Sequence, residues 1–255
     1  MQNNHVIHDI RQFFNSEKQN GKNLITYQTK LDFDVFLDKY DIGVELDTFK
    51  QIILQEETGL ELGGADKISH SLVFPIIDSN LIESGKITLL GLEIKELKDF
   101  SIDFSIFILI GLKEATEQDM EKLRKLSFIS NGIEGFLIRS IPRRFWCRIS
   151  SEVIERDFSF DFLGRAIQYL YYRKFGNLIK SIEIFFINSY PGSIKKFKEI
   201  TSDIRDQVKK TLKKKIDEWK KRIDCDYDWG CEICPYKEEC YKVKELLVER
   251  ERLEN

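Results

Sequence analysis

The 255-residue sequence has no excess of charge of either sign: 40 Lys and Arg stand against 43 Asp and Glu, for a formal net charge of −3. Without a basic surplus the chain as a whole lacks the means to neutralise a nucleic-acid backbone, which disfavours general nucleic-acid binding. Long apolar runs are also missing. The stretch from Phe104 to Leu112 falls far short of the ~20 apolar residues needed to cross a bilayer. The first residues, Met-Gln-Asn-Asn-His, have no signal-peptide character, so the expectation is a cytoplasmic protein with no membrane span. Four prolines and 14 glycines leave no room for a Pro/Gly-rich linker. The three histidines, His5, His8 and His70, sit in no motif, which favours solvated or structural roles over catalysis. There is no phosphate loop of the G-x-x-x-x-G-K-[ST] type and no Gly-x-Ser-x-Gly elbow. What is present, 42% hydrophobic and 12% aromatic residues, is ample material for a folded core.

Patterning gives a coarse architecture. From about His5 to Glu17, Ile7, Ile10, Phe13 and Phe14 recur at helical spacing. Leu24 to Leu37 fits strand or loop, Leu46 to Gln55 reads as a helix, and Glu61 to Lys67 is turn-prone. Strand-length apolar runs follow at Lys86 to Ile94, Asp103 to Ile110, Gly135 to Ile138, Phe145 to Ile149 and Ile182 to Ile187. Phe162, Leu163, Ala166, Ile167 and Leu170 form one helical face, with Gly176 where a stop is expected. From Pro191 to about Ile223 a long amphipathic helix is predicted, its stripe running through Phe197, Ile204, Val208, Leu212 and Ile216. The fold expected is α+β or α/β. Its parts are an N-terminal helical segment over 1–40, a mixed-sheet body over 41–190, and a long helix with a mostly helical cysteine module over 191–255.

Four of the five cysteines, Cys225, Cys231, Cys234 and Cys240, lie within sixteen residues. In a cytosolic chain such a cluster points to a metal rather than to disulfides. The Cys231-x-x-Cys234 pair brings two sulfurs to one ion, and the flanking cysteines can close a tetrahedral set. Zinc and a 4Fe-4S cluster both accept four thiolates. The single C-x2-C pair and the Cys234-Pro235 step lean toward iron–sulfur, with zinc open as the alternative. Cys147 stands apart in a strand and reads as a buried, inert thiol. Lys195, Lys196 and Lys198 begin a lysine run that continues to Lys221, read as a solvated helix face with an acidic partner or phosphates as the alternative. Arg139, Arg143 and Arg144 make a small basic group near Trp146, read as a surface turn with a phosphate-bearing ligand as the alternative.

Several segments, in order, resemble the beta subunit of the CO dehydrogenase/acetyl-CoA synthase complex. These are Glu61-Leu62-Gly63-Gly64, Lys86 to Gly91, Phe145-Trp146-Cys147-Arg148-Ile149, Phe162 to Ile187, and Trp229-Gly230-Cys231-Glu232-Ile233-Cys234. The resemblance covers roughly residues 55 to 240. It implies a body like the family's middle domain, which is associated with coenzyme A, and it implies iron–sulfur ligation by Cys231 and Cys234. Cys240 matches the family's next cysteine with a shorter gap, and Cys225 has no counterpart. The family's nickel-binding Cys-Gly-Cys would lie beyond Asn255. The expectation is therefore a 4Fe-4S cluster on Cys225, Cys231, Cys234 and Cys240 without nickel. It would serve electron transfer or docking to a corrinoid protein or other redox metalloenzyme in anaerobic metabolism. A zinc-stabilised interaction protein is the second reading and a methyl- or acyl-transfer enzyme the third; acetyl-CoA synthesis by this chain is not expected.

Overall fold

In the computed structural model, two long apolar runs set the centre of the molecule. Phe104–Leu112 and Ile179–Asn188 are buried along almost their whole length. A strand buried on both faces reads as a continuous apolar run rather than an alternating one, and these two pair antiparallel in the middle of a sheet. The structure describes residues 2–29, 40–43, 57–64, 66–77, 80–126, 129, 132–141 and 144–202. Residues 1–201 form one unit and residues 202–255 a second; the predicted helix at Leu46 to Gln55, the part of the predicted Pro191 to Ile223 helix beyond residue 202 and the four clustered cysteines lie outside the described residues.

The first unit runs α1 (Gln2–Gln19), β1 (Leu24–Gln28), β2 (Thr58–Gly63), β3 (Ser69–Ile77), β4 (Lys86–Leu90), β5 (Ser101–Ile102), β6 (Phe104–Leu112), α2 (Glu117–Leu123), β7 (Phe136–Ile141), β8 (Arg144–Ser150), α3 (Ser151–Glu155), α4 (Phe160–Phe175), β9 (Ile179–Asn188) and α5 (Pro191–Ile200). Five strands make one mixed sheet in the order β1-β4-β9-β6-β3, and four make a second in the order β5-β2-β8-β7. In the first sheet β4/β9 and β3/β6 are parallel pairs and β1/β4 and β6/β9 antiparallel. This is the expected α+β class. Three strands, β2, β3 and the two-residue β5, have no counterpart among the predicted runs. Glu61-Leu62-Gly63, taken as turn, is the end of β2, and the turn starts only at Gly64. In β3, Pro75 is tolerated because this is an edge strand with a single partner, β6.

α4 shows how sequence becomes packing. Ser159 caps it, accepting from the Phe162 backbone N–H at 3.1 Å. Its buried face carries Leu163, Gly164, Ala166, Ile167 and Leu170. Gly164 has a packing reason, since a Cβ there would come within 2.6 Å of the Ile87 side chain of β4. Gly176 does follow the helix, but with φ −54° it is not a left-handed cap. At the heart of this layer Phe104 has ring centroids 6.0–6.2 Å from Phe145, Phe160 and Phe186, within the range of favourable aromatic pairs.

The opposite face of the five-stranded sheet is covered by α1 and α5. Ile7, Ile10, Phe13 and Phe14 of α1 are all buried. Phe14 stacks on Phe185 of β9 at 4.9 Å, and Phe13 meets Phe197 of α5 at 5.2 Å. Beneath α1 lies an acid, Glu183, at 0% exposure. Arg11 donates to its Oε2 at 3.0 Å and the Glu83 backbone N–H does so at 3.2 Å. Burial raises its carboxyl above the ordinary value of 4.5, with Arg11 opposing. A carboxyl raised in the fold contributes stability that is present below the unfolded value and lost as pH rises through the folded one. Glu183→Gln cannot titrate there. In urea titrations from about pH 4 to about pH 7 its stability relative to the parent protein should therefore rise with pH and then level off. A relative stability that falls over that window would show that Arg11 outweighs burial.

Candidate functional site

Alternation along β8 decides which residues the second sheet shows to solvent. Phe145, Cys147 and Ile149 point inward and are buried, while Trp146, Arg148 and Ser150 point outward and are partly exposed. The neighbours in register complete a row on the outer face. Gly63 of β2 and Arg139 of β7 flank Trp146, and Glu61 and Leu137 flank Arg148. The Arg148 guanidinium lies 4.9 Å from the Trp146 ring centroid and its Nε donates to Glu61 Oε2 at 3.5 Å. The result is a half-buried indole beside one paired guanidinium, with exposed Arg139 next to Trp146 in register and buried Leu137 next to Arg148.

The glycines at the end of β2 shape this surface. Gly63 has φ 81° and Gly64 has φ 129°. A Cβ on Gly63 would lie 2.6 Å from the Phe145 carbonyl oxygen, so only glycine brings β2 this close to β8 beside Trp146. Two segments distant in sequence, Glu61 to Gly64 and Phe145 to Ile149, thus form one feature.

The other site residues read from sequence fall as follows. Cys147 sits between Leu62 and Ile138 in register, fully buried, and burial pushes its thiol well above the usual value, as an inert thiol requires. His5 and His8 are exposed on α1, with His5 paired to Asp9 at 2.8 Å. His70 is buried on β3 and its Nε2 lies 3.0 Å from Thr201 Oγ1. The Thr201 hydroxyl is also within 2.9 Å of the Phe197 carbonyl, a structural arrangement at the end of α5. Arg143 and the side chain of Arg144 lie outside the described residues, as do Cys225, Cys231, Cys234 and Cys240. Among the described residues no group of three or more His, Cys, Asp or Glu side chains could hold a metal ion, and no helix is long and apolar enough to cross a membrane. The Trp–Arg face was not chosen as a site from the sequence. Its signal was there, in the strict alternation of Phe145 to Ile149, but the Glu61 partner lies 87 residues away.

The described residues form an α+β body of two mixed sheets with a glycine-shaped Trp–Arg face, and a four-cysteine segment follows in sequence. Comparison makes this particular. Residues 48–190 match the CO dehydrogenase/acetyl-CoA synthase complex beta subunit family, and the chain belongs to that family. It is 32% identical over 128 residues to the acetyl-CoA decarbonylase/synthase complex subunit beta of Methanopyrus kandleri, covering 49% of this chain and 27% of that one. To the subunit of the same name from Methanothermobacter thermautotrophicus it is 26% identical over 178 residues, covering 69% of this chain and 36% of that one. The chain thus spans about a third or less of the curated relatives it matches.

Proposed function

We propose that the chain is a 4Fe-4S protein of the acetyl-CoA synthase type, a redox or docking module for a corrinoid protein or another metalloenzyme. The observation that carries this reading is the set of four cysteines within sixteen residues, directly downstream of a body that belongs to the family. The donor chemistry fits the group. A cubane takes four thiolates, and Cys225, Cys231, Cys234 and Cys240 supply that number locally. Cys147, buried and with its thiol raised, is no competitor. The cluster, when bound, supplies one-electron transfer. The chain's own contribution is to hold it by thiolates and to present a protein surface to the partner; that relatives are named as complex subunits supports the presence of such a partner. In this reading all four clustered thiolates are committed to iron.

Anaerobic purification tests the reading. Iron and acid-labile sulfide near four each per chain are expected, with an electron paramagnetic resonance signal of a reduced 4Fe-4S centre after treatment with a low-potential donor. A colourless protein holding one zinc would establish the zinc-stabilised interaction module instead.

A second reading is favoured by one specific feature. The outward Trp146 beside Arg148 and Arg139 suits an adenine ring with phosphates, and in the family the corresponding domain is associated with coenzyme A. Titration calorimetry with coenzyme A should show binding that Trp146→Ala weakens by about tenfold or more, since a base stacked on an aromatic ring contributes ~1–3 kcal/mol. Arg148→Ala should weaken it too. Parent protein that gives no heat with coenzyme A would remove this reading and leave the cluster reading standing.

A further inference from the structure

The two faces of the five-stranded sheet differ in kind. Toward α4 it presents Ile87, Ile106, Ile108, Ile182, Ile184 and Phe186, buried and all apolar. Toward α1 and α5 it presents buried polar residues among the aromatics: His70, Thr88, Ser105, Ser181 and Glu183. Register places them on one face, with Thr88 beside Phe185, Ser105 beside Ile187 and Ser181 beside Gly111.

Four of these side chains have a buried oxygen with no hydrogen-bond partner among the described residues: Thr88 Oγ1, Ser105 Oγ, Ser181 Oγ and Glu183 Oε1. Arg11 Nε, reaching in from α1, is a fifth such atom. Every strand residue of this sheet with an unmet polar atom therefore faces α1 and α5. Outside the strands of this sheet, Thr29 Oγ1, Arg156 Nε and the Gln168 amide are also unmet. A buried polar group without a partner opposes the closed state, because opening returns it to water.

α1 and α5 are also tied to each other. Phe197 meets both Phe13 and Phe14, at 5.2 and 5.6 Å. The buried Glu17 carboxylate at the end of α1 accepts from Ser193 of α5 and pairs with Lys196 at 3.7 Å. Both helices lie outside the 48–190 stretch that matches the family, and the chain passes from α5 into residues 202–255, which carry the four cysteines. We infer that α1 and α5 form a two-helix cover that opens from the sheet as one cooperative unit while the α4 layer stays closed. This device belongs to the body and does not depend on which metal the cysteines hold.

Native-state hydrogen exchange on the full chain tests it. Central amides of α1 and α5 should exchange with a common opening constant, larger than that of α4 by roughly tenfold or more, the equivalent of one unmade hydrogen bond. Phe13→Ala, which removes an α1–α5 contact, should speed exchange in α5 as well as in α1. Thr88→Val, Ser105→Ala and Ser181→Ala combined should slow both helices by at least about tenfold. Equal protection of α1, α5 and α4 would overturn the proposal, as would α1 and α5 exchanging independently. No response of the two helices to the triple variant would overturn the role given to the polar face.

Discussion

Cys231→Ser and Cys234→Ser are each expected to strip nearly all iron from the anaerobically purified protein, whereas Cys147→Ser should leave its iron content unchanged. The contrast rests on chemistry and place. A cluster iron needs a thiolate, and serine offers a hydroxyl of far higher pKa, so removal of either member of the C-x2-C pair breaks the shortest chelate in the segment. Cys147 is locked in β8 behind Trp146 and Arg148, between Leu62 and Ile138, and burial holds it as a thiol. Its replacement buries a hydroxyl in an apolar site and should cost about 1–3 kcal/mol of stability with no effect on metal. Iron and sulfide analysis of the three variants beside the parent protein checks the set. If Cys147→Ser loses the cluster, the ligand assignment is wrong. If the parent holds zinc and Cys231→Ser releases it, the four-cysteine site stands and the iron reading falls.

How much of this was legible in the sequence depended on which physical signal carried it. Period-3.6 stripes gave α1, α4 and the start of α5, because Ile7, Ile10 and Phe13, or Leu163, Ile167 and Leu170, have no other economical way to be buried together. Continuous apolar runs gave β6 and β9, whose two buried faces leave no alternation to detect. β3 was missed since its first residues, Ser69-His70-Ser71, look like loop and Pro75 argues against a strand; its place at the sheet edge removes that objection. β2 was missed for a related reason. Gly63 and Gly64 signal a turn, yet the first of them ends a strand, and its missing side chain is needed by the Phe145 carbonyl across the ladder. The cluster of four cysteines stands out by its spacing alone, and it lies outside the described residues. The Trp–Arg face was not, because it depends on β2, β7 and β8 meeting in one register, and nothing local in the sequence encodes that pairing.

Gly91→Val is expected to destabilise the body by at least about 4 kcal/mol, a loss in the range reserved for a change that the local backbone cannot absorb. Gly91 follows β4 with φ 145°, where side chains are strained. Space forbids one as well, since a Cβ would lie 2.0 Å from Asn188 Oδ1 and 2.7 Å from the Asn188 carbonyl oxygen. Asn188 cannot simply turn away. Its Oδ1 accepts from the Leu92 N–H and its Nδ2 donates to the Leu92 carbonyl, both at 2.8 Å, joining the ends of the parallel strands β4 and β9. The same glycine exchanges two hydrogen bonds with Asn23, its N–H donating to the Asn23 carbonyl at 3.0 Å and its carbonyl accepting from Asn23 Nδ2 at 2.8 Å. Any shift at Gly91 is therefore felt in β1 as well. Asn188→Ala alone should cost about 1–3 kcal/mol for each Leu92 group left unmet. In the double variant Gly91→Val, Asn188→Ala the side-chain clash is gone while the backbone strain and the 2.7 Å approach to the carbonyl remain. The loss in the double variant should then be smaller than the sum of the two single losses, with a coupling of roughly 1 kcal/mol or more. Urea unfolding of the four proteins measures this, and strictly additive losses would show that the close approach of the Asn188 side chain is not what requires glycine at position 91.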